Sequence, residues 1–468
     1  MARVGIMTFS DGRSFVAEEV AALNLAFQQN LTRVLSEAGW EVVPARQIIT
    51  TAEAASSEAR FLAAAQCSCT IFHYAVWAFP HFSAIASRFA PAPFLLLSNE
   101  NPRFPGMVGM LAAAGALDQV GTPYQRAFGS LEDPVVRVRI LSFVRAAYAA
   151  TALRGERYGL FGGRPMGMYT TVANPDQWLR QFGVDVEHID QWEIVRRAEE
   201  VSPERAASGR RWLEAHAHVH YDGQQLTPER LERQIRAYHA LRELITENGV
   251  DFCGVKGQPE LTNHFCTMDV PEAFLNDPYD WEGPKPIIVC ATEADMDGAL
   301  TMEICKHLTG TPVLFADVRH FHRDLGVFDL VNSGEHATYF AAHSDDAFEN
   351  LRQVHLYPEG FYFPAGGASV HHLAASGEAT FARLARKGGQ YWMAIVRGRF
   401  VRFGAEENEA LMHETTYEWP HAFAQLDCSA DTFLSQYGSN HIHAVYGDWA
   451  SELETVCAIL GVTAVYLR

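Results

Sequence analysis

The chain has no run of about 18 uninterrupted apolar residues, so no membrane-spanning helix is expected. It has no Cys-x-x-Cys pair. Its eight cysteines are scattered, Cys67 and Cys69 being the closest, a pattern of free thiols in a reducing cytoplasm rather than of disulfides or a zinc site. Positive charge is scarce: 37 Lys and Arg stand against 56 Asp and Glu, for a formal net charge of −19. Such a balance argues against nucleic acid or an anionic membrane as a partner and is compatible with a neutral small molecule. No internal repeat or low-complexity tract interrupts the chain. The loop Gly162-Gly163-Arg164-Pro165-Met166-Gly167 lacks the Gly-Lys-Ser/Thr ending of a phosphate cradle and reads as a turn. The apolar start at Val4 to Phe9 is too short for a signal peptide and reads as a first strand.

What is present is ordinary globular material: 468 residues, 48% hydrophobic and 20% charged, enough for roughly two to four domains. In the first third, strand-like runs (Val4 to Phe9, Cys69 to His73, Phe94 to Leu97) alternate with helical segments such as Glu18 to Leu35, which predicts a parallel α/β layer. A second such layer begins after Arg154-Gly155-Glu156, with strands at Tyr158 to Phe161, Val250 to Val255 and Ile287 to Thr292. The charged stretch from Glu193 to Arg242 is predicted to be mostly helical. Beyond Asp317, short strands and Gly-rich turns such as Ala365-Gly366-Gly367 predict a different layer. The expected fold is therefore α/β: two parallel-sheet α/β domains (1–154 and 155–317) followed by a β-rich C-terminal domain (318–468).

Two acids stand out. Glu293 ends the run Ile287 to Thr292, and Asp317 ends the run Pro312 to Ala316. Between them Met296, Leu300, Ile304 and Leu308 recur at helical spacing, and Gly310 stands where a helix would stop. The pattern predicts one βαβ unit with neighbouring parallel strands, both carboxylates emerging at their carboxyl ends, where open α/β sheets place ligands. Two acids held that close favour a cation.

Ala291-Thr292-Glu293, Leu308 to Arg319, Asn332-Ser333-Gly334 and Asn440-His441, together with Asp11-Gly12-Arg13, Gly257-Gln258 and Trp419-Pro420, resemble in chain order the L-fucose isomerase family of metal-dependent aldose-ketose isomerases. The resemblance runs along nearly the whole chain. It implies that Glu293, Asp317 and His441 hold one divalent ion, usually Mn²⁺, and that Glu293 and Asp317 also act as acid and base. It implies that Arg13, Trp77, Lys256, Gln258, Ser333, Trp419 and Asn440 bind the sugar, and that the assembly is a hexamer whose sites a neighbouring subunit completes. Lys256 departs from a glutamine in some members, which leaves hydroxyl specificity open.

The expected reaction interconverts an aldose of the L-fucose or D-arabinose type with its ketose through an enediolate. Oxygen-rich ligation with a single imidazole suits Mn²⁺ or Mg²⁺, with Co²⁺ as a further candidate, better than a thiolate-seeking metal. L-arabinose isomerase is the alternative within the class, but it would use a second glutamate and two histidines. A sugar-binding protein without catalysis is the alternative outside it. His443, two positions after His441, is expected to be structural, as are the pairs His371-His372 and His320-His322, although His320 lies close enough after Asp317 to support the site.

Overall fold

The computed structural model describes residues 3–333, 336–360 and 362–468. Two compact units form, Met1–Ala152 and Leu153–Arg468. In the first, β1 (Arg3–Phe9), β2 (Glu41–Pro44), β3 (Cys69–Tyr74), β4 (Phe94–Ser98) and β5 (Tyr124–Phe128) make an all-parallel sheet in the order β2-β1-β3-β4-β5. β3 and β4 are buried at every position, because helices cover both faces of a parallel sheet and remove the polar alternation. The helix Gly106–Gln119 approaches β3 so closely that a Cβ on Gly106 would lie 2.5 Å from the Tyr74 carbonyl oxygen, which only glycine permits.

The second unit opens with a smaller parallel sheet. Its chain order is β6 (Arg157–Phe161), β7 (Asp185–Ile189), the two-residue β8 (His218–Val219), β9 (Phe252–Val255), the short pair β10 (Tyr279–Asp280) and β11 (Gly283–Pro284), then β12 (Cys290–Thr292). The sheet order β12-β9-β6-β7 reverses direction between β6 and β9, the kind of switch point whose strand carboxyl ends form a ligand crevice. The predicted helical stretch resolves into Trp192–Ala198, Pro203–His216 and Pro228–Glu247.

The remaining strands are β13 (Leu314–His322), β14 (Val327–Val331), the two-residue β15 (His355–Leu356), β16 (Gly377–Lys387), β17 (Gln390–Phe400), β18 (His421–Leu426), β19 (His441–Tyr446) and β20 (Thr463–Tyr466). β15 pairs with β8; the other strands form a sheet in the order β16-β19-β13-β14-β18-β17-β20, and β16 also pairs with β17, so six antiparallel strands close into a ring with β20 appended to β17. Leu314, Ala316, Phe328, Leu330, Ile442 and Ala444 belong to the core that fills the ring. By strand alternation, Phe315, Asp317, His441 and His443 stand on its outer face.

This corrects the βαβ expectation. Glu293 follows β12 in the parallel sheet, whereas Asp317 lies within β13 of the barrel, so the two strands belong to different sheets and are not paired neighbours. The division expected between 317 and 318 passes through β13, and Asp317 goes with the barrel. The sequence pattern misleads because the buried helix Met296–Thr309 packs on the barrel and covers the outer side of β13 near its start. Both faces there are apolar, as in a parallel strand.

The last turn of that helix carries His307, whose Nε2 lies 2.8 Å from Glu156 and 3.2 Å from Glu303. Burial pulls the imidazole pKa down, but the two carboxylates overcome this and raise it to about 9, from an ordinary 6.5. A raised folded-state pKa stabilises the fold fully below 6.5, and that contribution disappears as pH climbs through 9. Melting temperatures measured across this window should fall more steeply for the wild-type protein than for His307→Gln. Parallel curves would show that His307 carries no such linkage.

Candidate active site

The crevice is built where β12 ends against the outer face of the barrel. After Thr292 the chain turns sharply: Glu293 has φ 54° and Ala294 φ 48°, two successive non-glycine residues in the left-handed region. The turn delivers Asp295 as the N-cap of helix Met296–Thr309, its carboxylate accepting from the Gly298 N–H at 2.9 Å. Across the crevice, Asp317 of β13 and His441 of β19 are direct cross-strand partners, and Phe315 pairs with His443 in the same ladder.

His441 is fully buried, and three carboxylates converge on its ring. Nδ1 donates to Asp295 Oδ2 at 2.6 Å. That bond fixes the ring and places the lone pair of the neutral imidazole on Nε2. Nε2 lies 3.0 Å from Glu293 Oε2 and 3.6 Å from Asp317 Oδ1, yet makes no hydrogen bond of good geometry to either. Asp295 is held by Arg383, which is 1% exposed and donates through both terminal nitrogens at 2.5 and 3.0 Å. Burial pushes the Asp295 carboxyl up, but Arg383 and His441 hold it well below the usual range. Burial lowers the His441 pKa, and Asp295 and Glu293 draw it up to about 9.

Amide groups orient the acids. Gln258 Nε2 donates to Glu293 Oε1 at 3.3 Å, Asn332 Nδ2 to Asp317 Oδ2 at 3.1 Å, and Asn440 Nδ2 to Asp317 Oδ1 at 3.0 Å. Among the described residues, the only ion-pair partner of Glu293 or Asp317 is His441. Two carboxylates converging on a buried imidazole nitrogen, with no lysine or arginine paired with those acids among the described residues, make a donor set that fits a hard or borderline divalent cation.

The other predicted residues fall into three groups. Gln258 and Asn440 touch the acids directly. Lys256, Ser333 and Trp419 lie nearby in the same unit: Lys256 follows β9 and pairs with Glu260 at 2.6 Å, and Ser333 is buried next to Asn332. Trp419 is only 6% exposed, packed with Val331 and Phe363 under the Arg319 guanidinium. Gly334, part of the Asn332-Ser333-Gly334 match, lies outside the described residues. Arg13 and Trp77 belong to the first unit, beyond the carboxyl ends of the adjacent strands β1 and β3. Arg13 is exposed and pairs with Asp11 at 2.6 Å, and Trp77 is half-buried. His443 accepts from Arg383 at 3.1 Å, a structural part in the network.

Residues 1–155 match the first N-terminal domain of L-fucose isomerase, 240–310 its second N-terminal domain, and 330–468 its C-terminal domain. The chain belongs to the L-fucose isomerase family. L-fucose isomerase relatives include those of Bacteroides thetaiotaomicron (27% identical, over 76% of this chain and 74% of that one), Haemophilus influenzae (24%, 76% and 73%) and Streptococcus pneumoniae (26%, 76% and 73%). Within the L-fucose isomerase matches, Glu293 falls in the second N-terminal domain and Asn440 and His441 in the C-terminal one, whereas Asp317 lies between the two.

Sequence reading missed Asp295, Arg383 and the role of Asn332. It assigned Asn440 and Gln258 to the substrate alone, whereas the structure places their amides on the acids. Asn440→Ala and Gln258→Ala should therefore weaken divalent-metal affinity by about 10–100-fold, followed by calorimetry. Unchanged affinity with lost activity would return them to a purely substrate-binding role.

Proposed function

We propose that the protein is a divalent-metal-dependent aldose-ketose isomerase acting on a free pentose or 6-deoxyhexose of the L-fucose or D-arabinose type. The observation that carries this reading is the convergence of Glu293 and Asp317 on the buried His441 Nε2, at 3.0 and 3.6 Å. These three groups would hold one ion, Mn²⁺ before Mg²⁺ or Co²⁺, which when bound would stabilise negative charge developing on the sugar's O1 and O2. The chain's own residues do the rest. Asp317, with two amide donors, is the more tightly anchored acid. Glu293, with one amide donor, is the acid assigned to take the C2 proton of the open-chain aldose. The C–H electron pair becomes the C1–C2 double bond while the carbonyl π pair moves to O1; the proton then returns to C1 as the O2 proton passes to O1, so that O2 becomes the carbonyl oxygen of the ketose. Lys256 is the residue through which this chain would differ in hydroxyl recognition.

Eight cysteines outside any disulfide, seven of them buried, support a reducing cytoplasm as the place of action. Exposed apolar side chains on the first unit, among them Phe15, Met107, Val108, Leu111 and Val135, support a homo-oligomer, a hexamer by family resemblance. No helix among the described residues is long and apolar enough to cross a membrane.

Aldoses and ketoses, L-arabinose among them, screened with added Mn²⁺ should identify a substrate. No turnover of any sugar would favour a binding protein without catalysis. Run in D₂O and read by NMR, the reaction should place deuterium at C1 of the ketose. Complete retention of the original hydrogen, even at slow turnover, would favour a hydride shift and remove the proton-transfer role of Glu293.

A further inference from the structure

A second group of metal-ligating side chains lies farther along the strand that carries Asp317. The ladder between β13 and β14 pairs Asp317 with Val331 and Val318 with Leu330, then shifts, so that His320 faces Asp329 and His322 faces Val327. Arg319 is the extra residue of a β-bulge. Unbroken alternation from Ala316 and Val318 would turn His320 and His322 into the barrel core; the bulge shifts the phase, so that Phe321 packs on the core and both imidazoles stand on the outer face. Their rings are nearly perpendicular, with centroids 4.7 Å apart.

Glu414 completes the group. Its Oε2 is 3.3 Å from His322 Nδ1, and one ligand atom from each of His320, His322 and Glu414 lies within 4.8 Å of the other two. A tetrahedral ion with bonds of about 2.0–2.1 Å separates its ligands by about 3.3 Å, the spacing that His322 and Glu414 already have. The loop bearing Glu414 is tied to the barrel by its neighbours: Thr415 donates to Asp329 at 2.9 Å, and Arg319 donates to Thr416 at 3.1 Å. Among the described residues no lysine or arginine pairs with Glu414. A comparable trio, Glu156, Glu303 and His307, differs in this respect, because Lys306 already neutralises Glu303.

We propose that His320, His322 and Glu414 form a second divalent-cation site, distinct from the pocket at His441. Two imidazoles and one carboxylate suit a borderline ion such as Zn²⁺ or Co²⁺ better than the oxygen-rich set at Glu293 and Asp317 does. The net charge of −19 favours cation capture at such an exposed edge.

The test is calorimetric titration of the metal-stripped full chain with Zn²⁺, with Co²⁺ absorption as a second readout. The wild type should show two binding events. His320→Ala and Glu414→Gln, both at exposed positions and checked for folding by circular dichroism, should each weaken one event by more than ~100-fold. The event they spare should be the one lost in His441→Ala. If the wild type shows a single event that only His441→Ala removes, or if both variants titrate as the wild type does, the second site does not exist. An anomalous map of Zn²⁺-soaked crystals should place a peak among the three side chains.

Discussion

Arg383→Met should destabilise the protein by about 3–5 kcal/mol, the cost of leaving a buried charge without its partner. Asp295 and Arg383 are both essentially inaccessible to water, and the two hydrogen bonds between them are the main compensation for burying the carboxylate. Methionine fills much of the same volume but supplies no charge, so Asp295 must take up a proton or draw in water. Either outcome loosens its hold on His441 Nδ1, and metal affinity should fall together with the denaturation midpoint. Chemical denaturation with and without Mn²⁺ separates the two effects. A loss below about 1 kcal/mol would show that the ion pair is replaceable and that Asp295 finds its compensation elsewhere.

The second large effect concerns turnover. Glu293→Gln keeps the size of the side chain and a carbonyl oxygen, but removes the negative charge and the base, so kcat should drop by about 10²–10⁴-fold while the fold persists. Asp317→Asn should act more through metal affinity, because that carboxylate is anchored by Asn332 and Asn440. Steady-state rates at saturating Mn²⁺ distinguish the two. A Glu293→Gln enzyme within tenfold of wild type would transfer the proton shuttle to Asp317.

Local patterns carried much of the architecture. The buried runs of β1, β3 and β4, the helix from Met296 to Thr309 and its Gly310 stop were all legible, because each depends on residues a few positions apart. The barrel's closure was not. The pairing of β13 with β19 joins residues more than a hundred positions apart, and nothing near Pro312 to Ala316 announces it. The same holds at the site. Glu293 and Asp317 stood out from the residues around them and His441 from the family resemblance, but Asp295 reads locally as a helix N-cap, which it also is, and its bond to Arg383 spans 88 positions. Arg383 sits in a strand-like run with no local sign that its charge is buried. Asn332 was read as part of a matching motif, and only the fold shows that its amide holds Asp317.

Closing the barrel also has a consequence for metal selection. Asp317 and His441 are set opposite one another by main-chain bonds within a ring of strands, so their spacing is a property of register rather than of side-chain packing. A slip of one residue in β19 would bring Ile442 to the crevice and turn His441 into the apolar interior, and no small relaxation could recover the ligand. The size of ion that the proposed site would accept is therefore written in the hydrogen-bond ladder. Substitutions that merely repack its walls should change affinity well before they change which ion is preferred.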